Sequence, residues 1–179
     1  MIEQTTEEVL LTQWQQGEEE AFSQIVKTYL PKVVNLAYRY LKDRQLAEDI
    51  AQEIFLKLYR HPDAWKPISR FSTWLYRVTF NACTDQWRKK KKEPETGLEE
   101  QEIPVHDSPS SELITSETTQ LVRQAIGSLP EDQKRIILLY QEGFSYEEIA
   151  EVLECSVKAI ERRLYRVRKC LRKKLKDII

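Results

Sequence analysis

Apolar positions in this chain recur every three or four residues and hardly ever alternate, so the pattern predicts an all-α fold. Thr5 and Glu8 form a capping-box pair ahead of Val9, Leu10 and Trp14, which predicts a short helix closed at Gly17. A longer helix starts near Glu18, with Phe22, Val26, Tyr29, Val33, Leu36 and Tyr40 as its inward positions. Pro31 falls inside it and predicts a kink or local break. After a turn around Asp43, Leu46, Ile50, Ile54 and Leu58 mark the core side of a third helix over about residues 45–59, with Ala47 and Ala51 beside them. His61, Pro62, Asp63, Pro67 and Ser69 then make a loop that its two prolines stiffen. The loop delivers the chain to a helix over 71–92, with Phe71, Leu75, Val78 and Ala82 on one stripe.

From Glu93 to about Glu117 the periodicity fails, and Pro94, Pro104 and Pro109 punctuate acids and serines. Such a segment builds no core, which predicts two small helical domains joined by a flexible acidic linker: residues 1–92, a linker at 93–115, and residues 116–179. The linker by itself imposes no single placement on them. Periodicity returns in a helix over about 116–126, followed by Gly127. Leu129-Pro130-Glu131-Asp132 then opens another, with Pro130 expected at its first helical position and Gly143 at its end. Ser145 and Glu148 form a second capping box ahead of a short helix in which Ile149, Ala150 and Leu153 face inward. The turn Glu154-Cys155-Ser156 leads to a final helix with Val157, Ile160, Leu164, Val167, Leu171 and Leu175 on one side. A short capped helix, a tight turn and a longer helix make a helix-turn-helix.

Charge changes this picture through its distribution. The 28 Lys and Arg nearly cancel the 29 Asp and Glu, but the cations crowd Arg88 to Lys92 and Arg162 to Lys176. Five cations at one helix end exceed what the helix dipole needs and point toward nucleic acid. Cys83, Cys155 and Cys170 lack metal-ligand spacing and are odd in number, so they read as small apolar residues in a reducing compartment. The start MIEQTTEEVL has no basic and apolar leader, and a cytoplasmic location is expected.

Three surfaces carry candidate chemistry. On the third helix Asp49, Gln52 and Glu53 surround outward-facing Leu56 and Tyr59, either a solvated face with one stray Leu or a docking strip for a basic partner helix. On the helix from Phe71, the stripe Trp74, Arg77, Asn81, Asp85 and Arg88 combines an aromatic with groups suited to bases and phosphates, behind the loop ending in Ser69 and Arg70. Phe71 itself reads as core. On the last helix Lys158, Arg162 and Arg166 project away from the apolar stripe, with Arg163 flanking and Lys169 a turn on, as a recognition helix requires. An autonomous duplex-binding regulator would use only this last surface. A metal-dependent nuclease would need Asp49, Glu53 and Asp85 to converge. No P-loop motif is present, and neither cofactor nor enzymatic activity is expected.

AEDIAQEIFLKLY, followed by RFSTWLYRVTFNACTDQWRKK, resembles the second conserved region of bacterial RNA polymerase sigma factors of the extracytoplasmic-function class. SLPEDQKRIILLYQEGFSYEEIAEVLECSVKAIERRLYRVRKCLRKKL resembles their fourth region. The resemblance implies a specificity subunit that directs core RNA polymerase to a set of promoters. It implies that Asp49, Gln52, Glu53 and Leu56 dock on the clamp helices of the largest subunit. Ser69, Arg70, Trp74, Arg77, Asn81, Asp85 and Arg88 would meet the minus-ten element. Ser156, Lys158, Ala159, Arg162, Arg163 and Arg166 would read the minus-thirty-five element, near the polymerase flap. Control by an anti-sigma factor is a further expectation from the class. Lys158-Ala159-Ile160-Glu161-Arg162-Arg163 departs from the family's frequent Gly-Thr-Val-Lys-Ser-Arg, and Glu154 fills a turn position where Gly is common, so strain is expected if it takes positive φ.

Overall fold

The computed structural model describes residues 2–92 and 117–176, and the predicted acidic linker lies outside them. Among the described residues the chain forms eight α-helices and one 3-10 turn, with no strand. The first four helices are α1 (Ile2–Gln15), α2 (Glu19–Leu41), α3 (Arg44–Arg60) and α4 (Phe71–Lys92), with the 3-10 turn Pro62–Ala64 between α3 and α4. The other four are α5 (Glu117–Gly127), α6 (Glu131–Gln141), α7 (Tyr146–Val152) and α8 (Val157–Lys176).

Local chemistry sets most of the boundaries. Gly17 (φ 96°) lies just beyond α1, and Lys42 (φ 61°) closes α2 by donating its amide to the Tyr38 carbonyl. The Asp43 side chain then caps α3, accepting from the Leu46 amide at 3.0 Å. At α7 both halves of the capping box form: the Ser145 amide donates to Glu148 at 2.8 Å, and the Glu148 amide to the Ser145 hydroxyl at 3.2 Å. Two predicted starts shift. Helix α1 begins at Ile2, so Thr5 lies inside it, because Glu3 and Gln4 are helix formers that extend it backward. Pro130 precedes α6 as its N-cap, with ψ 147° placing it outside the helical region, and Glu131 is the first helical residue. Helix α2 is not broken at Pro31, which sits on its exposed side.

The buried face of α2 also differs from the pattern. Ala21 and Ile25 point inward beside Val33, Leu36, Ala37 and Tyr40, while Phe22, Val26 and Tyr29 are half-buried flanks. Phe22 packs its ring 5.5 Å from Trp14, and Tyr29 lies edge-on to Phe71 at 5.2 Å. Large side chains thus cover the rim while small ones let the helices approach. In α3, Ala47, Ile50, Ala51, Ile54 and Leu58 are buried as expected, together with Phe55, and Leu46 is half-buried.

The buried arc of α4 is wider than one stripe. Phe71 and Leu75 are buried, Val78 and Ala82 only half so, and Tyr76, Thr79, Phe80, Cys83 and Thr84 are buried as well. The reason is tertiary: α4 is covered by α2 and α3 and also by the C-terminal helices. Tyr76 packs its ring 4.9 Å from that of Phe144, and one apolar cluster runs from Leu36, Phe71 and Phe80 into Ile136, Leu139, Ile149 and Ile160. A second cluster of Ile126, Leu129, Ile137 and Val167 holds α5, α6 and α8 together.

Polar contacts reinforce this packing of the two units. Arg39 donates to Glu142 at 2.7 Å and to Gln141. Arg135 donates to Glu131 at 2.6 Å, to the Tyr40 hydroxyl at 3.4 Å, and to the Thr84 hydroxyl. The Tyr40 hydroxyl donates to Glu131, and burial pushes its pKa up to about 12. The Lys134 ammonium and Arg135 guanidinium lie 5.2 and 5.7 Å from the Tyr40 ring centroid, in cation–π range. The placement that the linker leaves open is therefore set by side chains. Among the cysteines, Cys83 is fully buried and its thiol is pushed up to about 12 by that burial, whereas Cys155 and Cys170 are half-buried.

Candidate nucleic-acid interface

The acid-rimmed strip of α3 is open. Asp49, Gln52, Glu53 and Leu56 are all exposed, Leu56 to 53%. Tyr59 beside it is 49% exposed, so Leu56 is one of two large apolar side chains on this face. Tyr59 also links the strip to α2, donating to Glu19 at 3.1 Å and packing 5.2 Å from the Phe22 ring. Lys57, one turn on, pairs with Glu53 at 2.7 Å and holds its carboxyl below the usual range.

The loop before α4 is fixed from beneath. Trp65, which its loop position disguised, is buried against Phe71 with ring centroids 5.8 Å apart. Its indole N–H donates to the Ser69 carbonyl at 3.3 Å. Gln15 of α1 donates to the carbonyls of Pro62 and Trp65, each at 3.1 Å. The loop therefore stands as a formed edge, with Ile68 at its tip 88% exposed, beside an open cleft lined by Gln15, Pro62, Asp63, Trp65, Lys66 and Pro67. Behind it Trp74 is half-buried, stacked on Phe71 at 5.9 Å, so it is part core and part surface. Asn81, Asp85 and Arg88 are exposed farther along α4, and Ser69 and Arg77 are half-buried. Arg70 and Arg77 already hold carboxylates, Glu148 at 2.6 Å and Glu154 at 3.5 Å.

Helix α8 presents its polar side as expected. Ser156, Lys158, Arg162 and Arg166 are exposed, and Ala159 and Arg163 are half-buried, while Ile160, Leu164 and Val167 are buried. The Ser156 hydroxyl accepts from the Ala159 amide at 3.3 Å, fixing the start of the helix. Tyr165, 68% exposed between these arginines, was not singled out from sequence, although an aromatic outside the apolar stripe was the available signal. Glu154 takes φ 51°, the left-handed turn that the sequence flagged as strained for a side chain with a Cβ. Among the described residues no three His, Cys, Asp or Glu side chains converge as a cation site, so Asp49, Glu53 and Asp85 form no metal constellation.

Two family models match in chain order: Sigma-70 region 2 over residues 25–93 and Sigma-70 region 4 over residues 119–171. The ECF RNA polymerase sigma-E factor of Haemophilus influenzae is 33% identical over 190 residues, covering 100% of both chains. This chain is an ECF sigma factor. The Escherichia coli sigma-E factor is likewise 33% identical, over 193 residues, with 100% of this chain and 99% of that one covered. Among solved structures, the sigma factor RpoE in complex with the anti-sigma factor NepR from Bartonella quintana superposes with a TM-score of 0.71 at 28% identity, covering 87% of this chain and 96% of that one. CnrH, in complex with the cytosolic domain of CnrY, shares the fold with a TM-score of 0.71 at 23% identity, over 96% and 98% of the two chains. As an ECF sigma factor the protein is a transcription initiation factor that directs RNA polymerase to promoters. Its region 2 supplies the α3 strip and the α4 face, and its region 4 supplies the helix-turn-helix α7–α8. Among the described residues no helix is long and apolar enough to cross a membrane.

Proposed function

We propose that residues 1–92 dock on polymerase and hold the minus-ten element, that 93–115 is a linker, and that 116–179 reads the minus-thirty-five element. Asp49, Gln52, Glu53 and Leu56, extended by Tyr59, bind a basic and apolar helical surface, the clamp helices of the largest subunit. The observation that carries this is the exposure of a Leu–Tyr pair framed by acids on an otherwise well-packed bundle. Ser69, Arg70, Trp74, Arg77, Asn81, Asp85 and Arg88 form the minus-ten face. Stacking of an unpaired base there is worth about 1–3 kcal/mol, so strand separation is driven by capture of bases and needs no nucleotide hydrolysis. Ser156, Lys158, Ala159, Arg162, Arg163 and Arg166 form the duplex-reading face, and Tyr165 joins them by its position.

The chain supplies no catalytic residue of its own and acts in the cytoplasm. Control by an anti-sigma factor is supported by the similar RpoE–NepR complex. Asp49→Arg with Glu53→Arg tests the docking strip: affinity for core polymerase falls at least about tenfold while helicity is unchanged, since reversing charges at a steered interface acts on binding and not on folding. Equal affinity would remove the strip from the interface.

A further inference from the structure

Four cations, Arg39, Lys42, Arg123 and Lys134, gather where the carboxyl end of α2 meets α5 and α6. Lys42 is the C-cap of α2, held at φ 61° where a residue without a Cβ would be unstrained. Its side chain runs over the end of α5, with Cε 4.0 Å from the point where a Cβ on Gly127 would stand. Arg123 lies one turn before Gly127, on the same side of α5. Lys134 reaches this corner from α6, donating its ammonium to the Tyr40 carbonyl and lying 5.2 Å from the centroid of the Tyr40 ring.

A helix carboxyl end draws cations, and that accounts for Lys134. It does not account for the Lys42 ammonium, because the Lys42 amide already serves the Tyr38 carbonyl and Lys134 serves that of Tyr40. The acids nearby are engaged. Arg39 holds Glu142 at 2.7 Å, Arg135 and the Tyr40 hydroxyl hold Glu131, and Asp43 caps α3. Among the described residues no hydrogen bond or ion pair reaches the Lys42 ammonium. The crowding is felt by the groups themselves. Burial lowers the pKa of both lysines, Arg39 and Arg123 press Lys42 down further, and Lys42 does the same to Lys134 against the opposing pull of Glu131.

We propose that Lys42 and Lys134, with Arg123 beside them, form a binding site for a pyrophosphoryl group, the di- or triphosphate end of a small molecule of the nucleotide class. A single carboxylate would offset one of the two ammonium charges, whereas linked phosphoryl groups meet both. Lysine takes phosphate as a point charge without the fixed fork of arginine, so the site selects charge and leaves the organic part of the ligand open. Lys42 is exposed and Lys134 half-buried, which places the entrance on the Lys42 side. Because α2 belongs to region 2 and α5 and α6 to region 4, the ligand touches both regions, and mass action links its binding to their packing.

The full chain is titrated with inorganic pyrophosphate by isothermal calorimetry at fixed ionic strength. Lys42→Gln alone and Lys42→Gln with Lys134→Gln are compared with a control, Lys27→Gln with Lys32→Gln, which removes two exposed cations from α2 itself. Wild type and control are expected to bind one pyrophosphate per chain with like affinity. Lys42→Gln, which breaks no hydrogen bond or ion pair in the folded chain, should weaken binding about tenfold, the loss of one charged hydrogen bond, and the double variant should weaken it more. Circular dichroism should show unchanged helicity in each. A short mixed-sequence duplex DNA should bind the double variant and the control alike. No pyrophosphate binding by wild type, or equal binding by Lys42→Gln and the control, would remove the site. Duplex binding weakened in the double variant but not in the control would give these lysines to backbone phosphates and overturn the small-molecule assignment.

Discussion

Helices α3 and α4 belong to one bundle and both carry charge and apolar surface outward, yet the protein treats the two faces differently. On α3, Asp49 and Glu53 frame Leu56 and Tyr59 and remain open to solvent. On α4, Arg70 and Arg77 are occupied by Glu148 and Glu154 of the helix-turn-helix. Sign explains the difference. An acidic α7 is drawn to a cationic helix and repelled by an acidic one, so the chain covers the cationic face of α4 and leaves the acidic strip of α3 open. Apolar packing of Tyr76 on Phe144 and the Arg135 network turn that attraction into a defined contact.

The contrast breaks most readily at Arg135. Arg135→Ala removes the charged bonds to Tyr40 and Thr84 that cross between the two units and should weaken closure by about 1.5–3 kcal/mol. Scattering should show a more extended chain, with binding of the α3 strip to core polymerase unchanged. A compact profile would leave closure to the apolar contacts and the remaining ion pairs, such as Arg39 with Glu142. Arg162→Ala probes a face that both closed and open chains expose, and should lower minus-thirty-five discrimination by up to about 1–3 kcal/mol if the side chain meets a base edge. Uniform loss across promoter variants, with a salt slope reduced by about one, would move Arg162 to the phosphates.

Glu154→Gly separates local from interdomain effects. It relieves left-handed strain worth about 1 kcal/mol in region 4, raising the thermal stability of the helix-turn-helix, and at the same time loosens the contact with Arg77. A melting curve and a scattering profile should move in opposite directions. The smallest effect is that of pH. Burial acts to raise the carboxyls of both Glu131 and Glu148. Tyr40, Arg135 and Arg88 around the first, and Ser145 and Arg70 around the second, hold both below their usual 4.5. Because the closed-state values are depressed, this part of closure is complete above about pH 4.5 and is lost as pH falls through the lower values. It is modest because Arg135 and Ser145 lie on or beside the same helix as their glutamate and act whether or not the chain is closed. Scattering between pH 5 and 3 checks it, and opening on the alkaline side would contradict the sign.

The helices and most of their ends were legible because local chemistry decides them: Ser145 with Glu148, Asp43 before Leu46, and Gly143 in a left-handed turn. The recognition helix and the α3 strip were legible because their polar sides face solvent in the folded chain as periodicity assumes. What escaped was set by contacts distant in sequence. The wide buried arc of α4 depends on Phe144 and Arg135, and the burial of Trp65 depends on Phe71 and Gln15. Occupation of Arg70 by a carboxylate 78 residues away leaves no trace in either segment's own pattern.

Run-off transcription with purified core RNA polymerase, with and without the full chain, on fragments of its own genome tests the central assignment most directly. Discrete start sites that appear only with the chain, sharing elements near minus ten and minus thirty-five and lost with Asp49→Arg and Glu53→Arg, are the predicted result. Absence of both new starts and any complex with core polymerase would contradict it.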